Sequence, residues 1–182
     1  MKNLRLRNKS LWAMLSLALS VFPFTPAAMA GGDHSHHAGM HAPNNSSNSM
    51  AAPELKIYKS ATCGCCKKWI DHLDDNGIRQ SSENSDQMSI IKDQYGIDKK
   101  YRSCHTAISK DGYVFEGHVP AKYIKQFLKQ KPEGAIGLSV PGMPVGSPGM
   151  EYSNKFMPYQ VLVLNKDGSS EVYATINNAF QQ

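Results

Sequence analysis

"YKSATCGCCKKWIDHL", residues 58–73, decides how this chain is read. It begins in "LKIYKS" (55–60), where apolar and polar residues alternate as in a strand. Thr62 is a residue type that caps helices, and Asn76-Gly77 closes them, so a helix is expected over roughly 63–76. Trp69, Ile70 and Leu73 give that helix one apolar face. A strand running straight into such a helix places Cys63, Cys65 and Cys66 in its first turn. There the unpaired N–H groups and the positive end of the helix dipole favour thiolate over thiol. Lys67 and Lys68 add positive charge beside them.

Disulfide exchange needs only an attacking and a resolving thiol, which Cys63 and Cys66 supply in C-x-x-C spacing. Cys65 is then one too many, because it competes for Cys66. Three crowded thiolates also repel one another, and a bound cation removes that repulsion. Soft sulfur selects Cu(I), Zn(II) or iron–sulfur clusters. Because a thiolate can bridge two copper ions, the crowding suits a polynuclear copper site better than one tetrahedral zinc. A structural pair plus a spare cysteine is the plainer alternative, and the activating position disfavours it.

Further along the chain, residues 78–82 read as a weak strand and "SDQMSIIKDQYG" (85–96) as a short helix. "HTAISKDGYVFEGHV" is a hairpin around Lys110-Asp111-Gly112. Pro120 opens the amphipathic helix "AKYIKQFLKQ" (121–130). The order β-α-β-α-β-β-α is that of a thioredoxin-like α/β domain. "GAIGLSVPGMPVGSPGM" (134–150) reads as a long Gly/Pro/Met loop. "YQVLVLN" (159–165) and "EVYATI" (171–176) add a C-terminal β-hairpin.

In thioredoxin-like folds a cis-proline usually precedes the third strand and lies against the cysteine pair. Here "SCHT" (103–106) puts Cys104 and His105 in that place. Losing the proline opens the approach, and the replacements are metal-ligand types. Taken singly, Cys104 is an ordinary buried cysteine and His105 a surface residue; together at this position they favour a metal site with Cys63, Cys65 and Cys66. His118 in "EGHVPA" is balanced between a solvated or capping role and a functional one. Met143 and Met150 offer thioethers that bind Cu(I), against the plainer role of gap fillers, and Met157 lies just beyond them. His72 reads as a solvated helix residue.

The N-terminus has a different character. A basic start, "MKNLRLRNK", an apolar run too short to span a bilayer, and "TPAAMA" read as a signal peptide cut after Ala30. Its four basic residues leave 16 basic against 15 acidic in the mature chain. The basic pI thus belongs mostly to the signal, and no nucleic-acid footprint remains. No other stretch is apolar enough to span a membrane. Residues 31–53 are a low-complexity tail that cannot bury a core. It carries His34, His36, His37, His41, Met40 and Met50, a composition suited to weak copper capture. Three segments are therefore expected: signal peptide 1–30, tail 31–53 and copper-binding domain 54–182.

"YKSATCGCCKKWIDHL", "SCHTAISKDGYVFEGHVPA" and "GLSVPGMPVGSPGME" together resemble the CopG-type copper-resistance proteins of Gram-negative periplasms. The resemblance spans roughly 54–176 and implies a thioredoxin-like fold, periplasmic copper handling, and a copper cluster on Cys63, Cys65, Cys66 and Cys104. The tail lies outside it. The expected cargo is copper, as Cu(I) with Cu(II) in reserve, ahead of zinc. The expected partners are copper ions and other periplasmic copper-handling proteins. Three functions compete: a copper protein that binds and interconverts Cu(I) and Cu(II), a thiol–disulfide oxidoreductase, and a passive copper carrier or store. Copper oxidoreduction, with a dithiol supplying the electrons, is the one enzymatic reading.

Overall fold

The computed structural model describes residues 52–182. The signal-peptide reading of 1–30 and the histidines and methionines of the tail lie outside the described residues. Strands are β1 (Glu54–Lys59), β2 (Arg79–Asn84), β3 (Thr106–Ser109), β4 (Val114–Glu116), β5 (Ala135–Ser139), β6 (Tyr159–Asn165) and β7 (Ser170–Ile176). Helices are α1 (Gly64–Asp75), α2 (Met88–Gln94) and α3 (Ala121–Gln130), with single 3-10 turns at Lys99–Tyr101 and Ala179–Gln181. One seven-stranded sheet runs β2-β1-β3-β4-β5-β6-β7. β1 and β2 are parallel, as are β4 and β5; the other neighbours are antiparallel.

Strand alternation sorts the side chains into two cores. Leu55, Ile57, Phe115, Leu138 and Val161 meet Trp69 and Leu73 of α1 and Ile124 and Phe127 of α3. Ile108, Val114 and Leu164 face the other way, toward Ile97 just beyond α2. α1 and α3 therefore share one face of the sheet, and α2 covers the other. Each fully buried large apolar side chain contributes about 1.5–3 kcal/mol by leaving water, so the α1/α3 face carries most of the stabilisation. Among the described residues no helix is long and apolar enough to cross a membrane.

Three local expectations need correction. The stretch 134–150 is not all loop: Ala135–Ser139 is β5, wedged between β4 and β6. Gly137, which reads as a loop residue, is required by that packing, because a Cβ there would lie 1.8 Å from the Val114 carbonyl oxygen. The cap of α1 is Cys63 and not Thr62; the Cys63 sulfur accepts the Cys66 N–H, while Thr62 pairs with Ser60. His72 is half-buried and not simply solvated, since its Nε2 accepts the Ala121 N–H at 3.1 Å and so caps α3.

That last contact predicts a pH effect. Burial lowers the His72 pKa in the folded protein, and protonation would remove its acceptor. The unfolded chain takes up the proton first, so the contribution is complete above about pH 6.5 and is lost as pH falls below it. His72→Gln keeps an acceptor that does not titrate. Its urea midpoint should fall less steeply than wild type between about pH 7 and pH 5; equal slopes would show that His72 does not act as the cap.

Candidate metal centre

Three segments converge at the start of α1: its own first turn, the stretch Ser103–His105 ahead of β3, and His118 just past β4. Cys63 and Cys66 are joined as a disulfide across the turn, with Cα atoms 5.3 Å apart. Cys65 is a free cysteine, its sulfur 3.5 Å from that of Cys63. Cys66 is fully buried; Cys63, Cys65 and Cys104 are partly exposed. The four sulfurs lie within 4.8 Å of one another. The expected four-cysteine group is thus brought together by the fold.

A second donor group shares one member with the first. Cys104, His105 and His118 also offer ligand atoms within 4.8 Å of one another. The Cys104 sulfur lies 3.2 Å from His105 Nδ1 and 3.1 Å from His118 Nε2. Both imidazoles are fully buried, so neither the surface role for His105 nor the solvated role for His118 survives. His118 Nδ1–H donates to the Pro148 carbonyl at 2.8 Å. That bond assigns the tautomer and leaves the Nε2 lone pair facing Cys104. His105 packs against the Trp69 ring, with centroids 4.2 Å apart, and meets His118 edge-on. Its Nε2 is buried without a hydrogen-bond partner. An orphaned buried nitrogen is costly, and a ligand role for the ring's other nitrogen gives a reason to keep it.

The electrostatics favour ligands over charges. Burial, then the nearby His118 and Lys92, hold the His105 pKa well below the usual imidazole range. Burial also lowers that of His118, partly opposed by the bond to Pro148. Both rings are neutral at neutral pH, the form that binds metals. Burial, followed by the neighbouring Cys65, pushes the Cys104 thiol up to about 12. Ionising it calls for a cation, and sulfur beside imidazole suits copper or zinc.

The Gly/Pro loop closes over this centre. Gly149 rests on the α1 backbone, where a Cβ would come 2.7 Å from both the Cys65 carbonyl oxygen and the Trp69 nitrogen. Ser147 and Pro148 are buried beneath it, and the Gln182 side chain reaches back to the Gly146 carbonyl. Met150, the residue after Gly149, is half-buried, whereas Met143 and Met157 are 53% and 56% exposed. Sequence reasoning valued this loop for its methionines and missed its backbone. The signal was present in the spacing of Gly146, Pro148 and Gly149, residues that let two main chains touch.

Residues 101–150 match the family model "Protein of unknown function, DUF411". No curated protein matches the chain. Among solved structures, "Copper resistance protein copG- Form 2" is 39% identical with a TM-score of 0.65, covering 69% of this chain and 98% of that one. "Copper resistance protein copG- Form 1" is 40% identical with a TM-score of 0.64, covering 68% and 96%.

Two outcomes follow from the geometry. Gly149→Ala puts a methyl against backbone at a φ of +84°, and should cost about 1–3 kcal/mol in urea unfolding; an unchanged midpoint would mean that the loop does not rest on α1. Alkylation of Cys104 in the metal-free protein should keep rising with pH beyond the range of an ordinary thiol, about pH 8–9, and a plateau there would contradict its burial.

Proposed function

The chain belongs to the CopG family of copper resistance proteins, and from that footing we propose that it is a periplasmic copper-binding protein of copper resistance. It holds Cu(I), as more than one ion, on the thiolates of Cys63, Cys65, Cys66 and Cys104. His105 and His118 complete the set, and Met150 is a better-placed thioether than the exposed Met143. The observation that carries this reading is the meeting of the two donor groups at Cys104. Crowded sulfurs with a shared member suit bridged Cu(I), whereas a single zinc asks for four separate ligands. The signal peptide of 1–30, export to the periplasm, the capture role of the tail and a thioredoxin-like fold belong to the same proposal. The last is supported by the β1-α1-β2-α2-β3-β4-α3 order, with β1 central between β2 and β3.

The Cys63–Cys66 disulfide favours a second reading, in which the pair is redox-active. Its reduced dithiol holds two electrons. Passing one to each of two Cu(II) ions yields two Cu(I) and re-forms the disulfide, with the thiol protons released. Turnover requires a dithiol donor, supplied by another periplasmic protein. In this reading copper is the substrate, and Cys65 and Cys104 retain the reduced ion while the pair is oxidised. Plain thiol–disulfide exchange would leave Cys65 and Cys104 idle, and a passive store would leave the disulfide idle.

Cys65 separates the copper readings from plain disulfide exchange. Cys65→Ser and Cys104→Ser should each lower the Cu(I) stoichiometry of the reduced protein, measured anaerobically by metal analysis against a competing chelator. Both should reduce copper tolerance in cells lacking the native protein. Insulin reduction by Cys65→Ser should be unchanged or faster if the protein is an exchanger. If both variants bind and protect as wild type does, the thiolate-cluster reading fails.

A further inference from the structure

α2 is an unusual helix for a sheet to bury. Its one buried residue is Lys92, only 4% exposed. The ammonium meets Glu116 of β4 at 2.5 Å and Thr106 of β3 at 2.8 Å, and both of these are fully buried. Thr106 and Glu116 are direct cross-strand partners on the α2 face of the sheet. The Thr106 hydroxyl accepts from Lys92 and donates to Glu116 Oε2 at 2.7 Å. The other carboxylate oxygen, Oε1, also accepts the backbone N–H of Ser103 at 2.6 Å. Every polar group of the cluster is thereby used.

Such a cluster is a poor source of stability. Removing two charges from water costs several kcal/mol per ion, and well-packed apolar replacements are often as stable or more so. Its product is geometric: one fixed acceptor aimed at Ser103, the residue before Cys104. Ser103 lies in no strand or helix. Its other restraints come from elsewhere in the fold. Its hydroxyl donates to the Gly142 carbonyl, and Gly117 lies so close that a Cβ there would come 2.6 Å from Ser103 Cβ. Without Glu116 the Ser103 N–H loses its acceptor, and on the α2 side the stretch leading into Cys104 and His105 is held by the Arg102 side chain, which reaches Asp93 and the Ile97 carbonyl.

We propose that Lys92, Thr106 and Glu116 are positioning residues, a buried ionic anchor that sets the Cys104 sulfur in register with the thiols of α1. The inference rests on the copper-thiolate reading for its functional meaning, and on the Ser103 hydrogen bond alone for its structural content. Glu116 accepts the N–H, Lys92 orients the carboxylate, and Thr106 ties the pair to β3, just after His105.

The test compares two double variants of the mature protein. Lys92→Met/Glu116→Leu removes the acceptor and both charges while keeping the volume. Lys92→Met/Glu116→Gln removes the charges but keeps an oxygen for Ser103. The apolar pair should melt at or above the wild-type temperature, yet bind Cu(I) about ten-fold or more weakly against a competing chelator. Its Cys104 should also alkylate faster in the metal-free, reduced protein. The Gln pair should restore both properties. The proposal is overturned if the apolar pair keeps wild-type affinity and Cys104 reactivity, or if both pairs lose them in step with melting temperature. Should wild type take up no Cu(I), the copper reading fails and the alkylation rates alone decide the anchor. Should the apolar pair not fold, Thr106→Val replaces it; the same shift at smaller size supports the anchor, and unchanged Cys104 reactivity overturns it.

Discussion

One hydrogen bond sets the character of the centre: His118 Nδ1–H to the carbonyl of Pro148. It fixes which nitrogen carries the proton, and so which one faces Cys104. It also ties the strand side of the molecule to the Gly/Pro loop. That loop must in turn lie flat on α1, which Gly149 permits by lacking a Cβ. Trp69 completes the chain of dependence, with one face against His105 and its indole N–H on the Val119 carbonyl at 2.9 Å. Ring, loop and helix thus hold one another, and the sulfurs sit where the three meet.

The cost of this arrangement falls on solvation. Two imidazoles, an ammonium and a carboxylate are removed from water, and a thiol largely so, all between Lys92 and His118. The imidazoles and the thiol respond by staying neutral, as their displaced pKa values show. Lys92 and Glu116 instead pair, at 2.5 Å. The two solutions meet at the short hairpin β3–β4: Cys104, His105 and His118 flank its open end, while alternation sends Thr106 and Glu116 toward α2 and Ala107 and Phe115 toward α1 and α3.

Much of this was legible in the chain itself. Period-two and helical patterns located β1, α1, the β3–β4 hairpin, α3 and the final hairpin, because each has its own apolar repeat. β5 escaped because its identity is tertiary: Ala135–Ser139 contains a glycine and adjoins a proline-rich stretch, and only its pairing with β4 and β6 makes it a strand. The clustering of Cys63, Cys65 and Cys66 is visible at a glance, and Cys104 follows from its place before β3. What no local pattern discloses is depth. His105, His118 and Lys92 are polar letters that composition assigns to the surface, and their burial depends on long-range packing between β3, β4, α2 and the loop.

Cys104 belongs to both donor groups, one rich in sulfur and one rich in nitrogen. The two are therefore not independent compartments. A guest on the cysteines alters what the histidines can offer, and by thermodynamic reciprocity the converse change is of equal size. Uptake at such a centre has no separate isotherms to assign. It is a single coupled equilibrium, in which the sign of the coupling turns on whether the common sulfur bridges two guests or must choose between them.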